Sequence, residues 1–233
     1  MRTVYVNVRD TVGGSGKVSW IRDNLNGGSI VDLVANTARV SYDAEPSERS
    51  HSDNLKLFRY LLGHKHMSPF EHAIFTFHIT APQFVAVHFL RHRTAKVNMQ
   101  SFRYTQIDDA FYIPEVFRAQ SKKNKQSSFG EVEQQDYFRK RWKSVLGEVN
   151  ELYHQMIDAG IAREQARGIM PFGTFTSWYW TMDFRNLLHF LGLRLSKDAQ
   201  EETRLYAQAL EGLLLDIDHE AMEIARTVGY ANI

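Results

Sequence analysis

The stretch Arg91–Tyr104 reads RHRTAKVNMQSFRY. It carries Arg91, Arg93, Lys96 and Arg103, with His92 among them and no carboxylate to offset them. The acid-free run extends from His72 to Ile107 and also contains His78 and His88. Its flanks, FVAVHFL and FYIP, are apolar, so the cations sit beside a core. Desolvating that many unpaired cations is costly unless a counter-charge arrives from elsewhere in the chain or from a ligand. Two local features favour a ligand. Arginine outnumbers lysine, and its planar fork suits a phosphate. The residues between the cations, among them Thr94, Asn98, Gln100 and Ser101, are small or hydrogen-bonding, unlike the Glu/Lys mixture of a solvated helix. Hydroxyl, guanidinium and free backbone N–H groups together are the donors that a phosphate monoester uses. A solvated basic face and a nucleic-acid grip are the alternatives. A net charge of only +1 and a single compact basic segment weigh against the second.

Other chemistries fit less well. No GxSxG elbow surrounds Ser101, so the hydroxyl reads as a phosphate ligand and not as a nucleophile. His88 and His92 have the i,i+4 spacing of zinc ligands, but HFLRH lacks the glutamate of HExxH, and no metal is expected. GGSGK (13–17) lacks the spacing of a phosphate loop and reads as a glycine-rich turn that NGGS (26–29) extends. His64 and His66 read by themselves as surface residues. Arg167 in REQARG reads as a solvated arginine paired with Glu164. Arg194 is different: it sits in an apolar helical pattern, where an unpaired charge is costly. The chain has no cysteine, which excludes disulfides, thiolate metal sites and a cysteine nucleophile.

These residues need positioning by elements that the pattern outlines. TVYVNV (3–8) alternates as a strand. SIVDLVANTARV reads as a helix capped by Ser29, with Asp32 completing a capping-box-like start. SDNLKLFRYLLGH (52–64) puts Leu55, Phe58, Leu61 and Leu62 on one face and stops at Gly63. SPFEH (68–72) has a helix-entry signature, AIFTFHITA (73–81) is a strand, and PQFVAVHFLRHR (82–93) is helical from Pro82. QSKKNKQSSFGE (120–131) reads as a surface loop. Long helical patterns cover about 131–159 and 198–228, with Leu205, Leu210, Leu213 and Leu214 as core. Between them, TFTSWYWTM (174–182) is a strand whose SWYW belongs to the core or a subunit interface, and RNLLHFLGLRL (185–195) is a helix. Helices and strands mix without regular βαβ alternation, which predicts an α+β fold, a mixed sheet packed with long helices, in a single domain over 1–233. The 43% hydrophobic and 24% charged content is that of an ordinary globular chain. With no apolar signal core at the N-terminus and no spanning run, a cytoplasmic protein without membrane contact is expected.

Arg91-His92-Arg93, a gap of seven residues, then Ser101-x-Arg103 is the signature of the flavin-dependent thymidylate synthases, and this chain resembles that family over about 36–230. NTARVSYD (36–43), HKHMSPFEHAIFTFHITAPQFVAVHFLRHR (64–93), AREQARGIMP (162–171) and RNLLHFLGLRLSKDAQEETR (185–204) are similar to further family blocks. The resemblance implies methylation of dUMP at C5 to give dTMP, with methylenetetrahydrofolate as carbon donor and FAD reduced by NADPH. It also implies a homotetramer whose active sites form where subunits meet. A cysteine-free chain fits that chemistry, because a cofactor then replaces the thiol that otherwise activates C5.

Position by position, the resemblance places His88, Arg91, Met99, Gln100, Ser101, Phe102, Arg103, Arg167 and Arg194 at the nucleotide. It places Ser41, His66, Ser68, Arg91, His92, Arg93, Asn98, Met99, Asp183 and His189 around FAD. Arg194, His189 and His66 are implied in the chemistry itself. Four residues depart from the family pattern: Met99 where a glutamate is frequent, His88 for a glutamine, Lys96 for a small residue and Asp183 for an asparagine. They leave open UMP or another pyrimidine nucleotide as acceptor. A nucleic-acid-binding module is the alternative of a different class.

Overall fold

The computed structural model describes residues 2–9, 13–42 and 49–232. In chain order the elements are β1 (Arg2–Arg9), β2 (Ser15–Asp23), α1 (Ile30–Arg39), α2 (His51–Gly63), β3 (Ile74–Pro82), α3 (Gln83–Leu90) and β4 (Lys96–Met99). Then come β5 (Arg118–Gln120), β6 (Ser128–Glu131), α4 (Gln135–Asp158), α5 (Arg163–Ala166), β7 (Phe175–Asp183), α6 (Phe184–Arg194), α7 (Glu201–Ile217) and α8 (His219–Val228). The main sheet has the order β1-β2-β3-β7-β4, and β5 and β6 form a separate hairpin.

The α+β class holds, but the sheet is antiparallel at every pairing and not mixed. A strand–helix–strand unit such as β3-α3-β4 supplies a parallel pair only when its strands become neighbours. Here β7 lies between them, antiparallel to both. A second correction concerns residues 13–29, expected as a glycine-rich loop. Ser15–Asp23 is a strand instead, with Val18 buried in the core. A Cβ on Gly16 would lie 1.8 Å from the Tyr206 hydroxyl, which donates to the Thr80 carbonyl at 2.9 Å. The glycine therefore serves close packing. Boundaries shift as well. The helix expected over 82–93 ends at Leu90, and the expected loop 120–131 contains most of the β5–β6 hairpin.

The helical pattern 198–228 breaks at Asp218, whose carboxylate caps two helices at once. Oδ1 accepts from the Ala221 N–H at 3.0 Å and Oδ2 from the Ile30 N–H at 2.7 Å. Ser29 adds the expected cap, accepting from the Asp32 N–H at 2.9 Å. The start of α2 is tied to the same corner. His51 bridges Asp32 on α1, with Nδ1 at 3.0 Å, and Glu220 on α8, with Nε2 at 2.7 Å. The hydrogen bond to Glu220, then that to Asp32, raise the His51 pKa above its ordinary 6.5. A raised value means the bridge stabilises fully below about pH 6.5 and weakens as pH climbs through the folded-state value. His51→Ala should therefore lower Tm by about 1–3 °C at pH 6 and by less at pH 9, as befits a half-exposed pair. Melting curves at both pH values check this; an equal loss at each would refute the bridge.

One hydrophobic core runs from Val6 to Ala225. The ring of Phe89, near the end of α3, lies edge-on to Trp178 at 5.4 Å and Trp180 at 5.2 Å. Phe190 on α6 lies 4.8 Å from Phe89 and 5.0 Å from Trp180. Four interlocked rings thus fix where α3 and α6 end. Within SWYW the burial alternates: Trp178 and Trp180 are core, while Tyr179 is 48% exposed. Among the described residues no helix is long and apolar enough to cross a membrane.

Candidate active site

The clamp of rings brings the C-terminal ends of α3 and α6 together, and with them His88, Arg91, His92, His189 and Arg194. Arg194 donates from Nε to His92 Nε2 at 3.2 Å and from Nη2 to the His88 carbonyl at 3.2 Å. The His92 ring lies 6.1 Å from that of His189. Burial, then the Arg194 charge, then His189 push His92 down to about 4, so it is neutral at physiological pH. His88 is lowered by burial and then by Arg194, and its buried Nδ1 has no hydrogen-bond partner among the described residues. Arg194 is itself lowered, by burial and by the neighbouring Arg91. Among the described residues no acid pairs with Arg91, Arg93, Lys96 or Arg194. Arg194 and His92 are half-buried and Arg91, Arg93 and Lys96 are exposed; an uncompensated cationic group of this kind is poised for an anion or a polarised carbonyl.

Ser101, Phe102, Arg103 and Arg167 form a second group. Phe102 is buried in a small core with Ile107, Tyr153 and Ala166, under α4 and α5. That anchor presents Arg103 beside α5, where it meets Glu164 at 3.4 Å with both side chains exposed. Glu164 therefore pairs with Arg103 and not, as expected, with Arg167, which is exposed and free of acids among the described residues. The first and second groups lie beyond opposite ends of β4. Its residues Lys96–Met99 span about 13 Å at 3.3 Å each. Met99 and Asn98 pair with Trp178 and Tyr179 of β7, and the Gln100 N–H donates to the Ser177 carbonyl at 2.9 Å. Sequence proximity had placed Arg91, Ser101 and Arg103 in one cluster; within one chain the strand holds them apart.

A third group surrounds the end of α2. Gly63, expected to stop this helix, lies in its last turn. The stop is a Schellman closure: the His66 N–H reaches the Leu61 carbonyl at 2.9 Å and the Lys65 N–H reaches that of Leu62 at 3.2 Å. Lys65, not a glycine, takes the left-handed slot at φ 60. This tight turn carries His64 and His66 on either side. Tyr60, which the sequence reading did not single out, is 53% exposed and stacks on His64 with ring centroids 4.1 Å apart. Its i,i+4 spacing to His64 was the available signal. Ser68 opens the 3-10 turn Ser68–His72, which packs against α6, and Glu71 of that turn pairs with Arg185. Asp183 caps α6, accepting from the Asn186 N–H at 3.0 Å. Ser41 lies exposed at the end of α1 without a hydrogen bond to these groups among the described residues.

Helix α6 links the first and third groups: Asp183 at its head, His189 midway, Arg194 at its end, about 16 Å from end to end. Exposed ring faces at one end and acid-free cations at the other are the donor set that a flavin dinucleotide needs, stacking surface for its rings and positive charge for its phosphates.

Residues 30–217 match the family described as thymidylate synthase complementing protein. A flavin-dependent thymidylate synthase of Thermus thermophilus is 42% identical over 76% of this chain and 64% of its own length. That of Treponema denticola is 40% identical over 76% of this chain and 68% of its own. The chain thus spans about two thirds of the length of these relatives. Among solved structures, the UMP/dUMP methylase PolB from Streptomyces cacaoi, bound with 5-Br dUMP, superposes with a TM-score of 0.83. It is 29% identical, with 92% of this chain and 96% of that one covered. The chain belongs to the thymidylate synthase complementing protein family.

Proposed function

We propose that this protein methylates dUMP at C5 to give dTMP, with methylenetetrahydrofolate as carbon donor and NADPH as reductant of bound FAD. The observation that carries the reading is the acid-free group of exposed Arg91 and half-buried His92 and Arg194 on a fold shared with a dUMP methylase. Ser101, Arg103 and Arg167 bind the nucleotide phosphate, and Arg91 and Arg194 face the pyrimidine, with Met99, Gln100, Phe102 and His88 lining its site. Tyr60, His66, Ser68, Arg93, Asn98, Asp183 and His189 hold the flavin, and Ser41 approaches from α1. Bound FAD supplies the reducing equivalents, which suits a chain with no cysteine.

The division of the phosphate and pyrimidine ligands by β4 supports a homotetramer with shared sites. Val87, Leu90, Val97, Tyr179 and Leu193 are large, apolar and exposed around the cationic group. Burying them between subunits brings one chain's Arg103 and Arg167 to another's Arg91 and Arg194. UMP is the second reading, favoured by the name of the solved neighbour, a UMP/dUMP methylase.

Incubation with FAD, NADPH, methylenetetrahydrofolate and either dUMP or UMP, with mass analysis of the product, tests the reaction and separates the two acceptors. Arg103→Ala is expected to weaken dUMP binding by about tenfold or more, the worth of a charge-assisted hydrogen bond. Its exposed contact with Glu164 makes the accompanying Tm change small. Titration calorimetry and a melting curve check both; an unchanged dUMP affinity removes Arg103 from the site.

A further inference from the structure

We infer that His92 is a positioning residue for Arg194, a hydrogen-bond acceptor that sets the guanidinium in place, and not a cationic ligand like the arginines on either side of it. The inference rests on the assignment of Arg194 to the nucleotide site.

Arg194 Nε lies 3.2 Å from His92 Nε2. An arginine has only donors, so His92 must offer a lone pair there, which fixes the ring as the tautomer protonated at Nδ1. The second contact, Nη2 to the His88 carbonyl at 3.2 Å, uses another part of the same planar group. Two acceptors hold the plane, and Nη1 has no protein partner among the described residues. It is the part of the guanidinium left for a ligand.

The acceptor is itself held rigidly. The His92 ring packs edge-on to Phe190 at 4.8 Å, and Phe190 is locked between Phe89 and Trp180. Support therefore runs from the sheet through Phe190 and His92 to Arg194. The charges that act on His92 oppose its protonation: Arg194 first and then His189, both from α6. The carboxylate of Glu202 on α7 acts on His88. A cationic His92 would repel Arg194 and have no lone pair to give it. An arginine with its plane fixed before the substrate arrives loses less freedom on binding.

The test is a double-mutant cycle on dUMP affinity of the flavin-loaded protein, with flavin content measured alongside. His92→Leu should weaken dUMP about tenfold, while His92→Gln, which keeps an acceptor, should stay within about threefold. In an Arg194→Ala background, His92→Leu should have no further effect on dUMP affinity, compared at matched flavin loading. An equal loss in both backgrounds, or flavin loss at unchanged dUMP affinity, overturns the inference. Imidazole nitrogen shifts of the unmutated protein give a readout independent of any variant's folding. They should show His92 neutral with Nε2 unprotonated at pH 7, and a proton on Nε2 overturns the dyad. If Arg194→Ala leaves dUMP affinity unchanged, the nucleotide-site assignment fails, and the nitrogen shifts still decide the His92–Arg194 contact.

Discussion

Arg194→Met is expected to raise the Tm of the ligand-free protein by about 2–4 °C while cutting kcat/KM about a hundredfold or more. The opposite signs have one cause. Arg194 is half-buried, the Arg91 charge acts on it, and both influences, burial first, lower its pKa. A base whose folded pKa is depressed holds its proton at a cost in the fold, so at neutral pH the charge destabilises the empty protein. Methionine fills a similar volume without that cost. Against the gain stand two acceptors left without a donor, His92 Nε2 and the His88 carbonyl, which limit it to about 1 kcal/mol. The loss in turnover follows from the proposed place of this charge at the nucleotide, since removing a donor aimed at developing charge costs about 10²–10³ in rate. Arg194→Lys separates the contributions: it keeps the cation but not the fork, so activity falls with no gain in Tm. Melting curves and steady-state rates decide; a Tm that falls together with activity would make Arg194 a structural residue.

How much of this was legible in the sequence depends on range. Ser29 and Asp32, the strand TFTSWYWTM and the amphipathic face of α2 are local patterns, and each reads through to the structure. β2 was missed because Gly13, Gly14 and Gly16 suggest a turn, whereas Gly16 is set by the Tyr206 ring, distant in sequence. The break at Asp218 was missed because α7 and α8 share one helical periodicity, and the carboxylate's second role, capping α1, is visible only in space. The sheet direction depends on which strand lies beside which, information that no window of residues contains.

The site divides in the same way. The acid-free run announced a cationic group without acid partners, and Arg194 in its apolar helix announced its cost. That β4 separates Arg91 from Arg103 is a consequence of an edge strand pairing with β7. That His92 is neutral follows from burial and from Arg194 and His189, both of them distant in sequence. A motif of three basic-looking residues thus contains two kinds of chemistry, distinguishable only once α6 is laid against α3.

Glu202→Ala should lower Tm by about 6–12 °C, a loss of about 3 kcal/mol, without touching a residue proposed to meet ligand. Glu202 lies in the first turn of α7 and its side chain is only 6% exposed. Oε1 accepts from the Tyr112 hydroxyl at 2.7 Å and from Arg118 Nη2 at 2.7 Å, and Oε2 from Gln200 Nε2 at 3.0 Å. Arg118 belongs to the β5–β6 hairpin, so this carboxylate fastens the hairpin and the Tyr112 segment to α7. Removing it strands the Tyr112 hydroxyl and leaves Arg118 with the Ser128 hydroxyl at 2.9 Å and, as its one acid among the described residues, Glu201 at 2.8 Å. Glu201 is largely solvated, which makes it the weaker partner. Burial by itself would raise the Glu202 pKa; the Tyr112 hydrogen bond, its own backbone N–H and Arg118 outweigh it and hold the group below the ordinary 4.5. A depressed carboxylate contributes its stability above about pH 4.5 and loses it as pH falls through the folded value. The Tm gap between native and Glu202→Ala protein should therefore be full at pH 7 and shrink below pH 4. Glu202→Gln, which keeps an acceptor but not the charge, should fall between the two. A gap that stays constant down to acid pH would show that the carboxylate's packing, and not its charge, fastens the hairpin. Because α7 also packs on α3, loosening it should reach the cationic group as a modest rise in KM for dUMP.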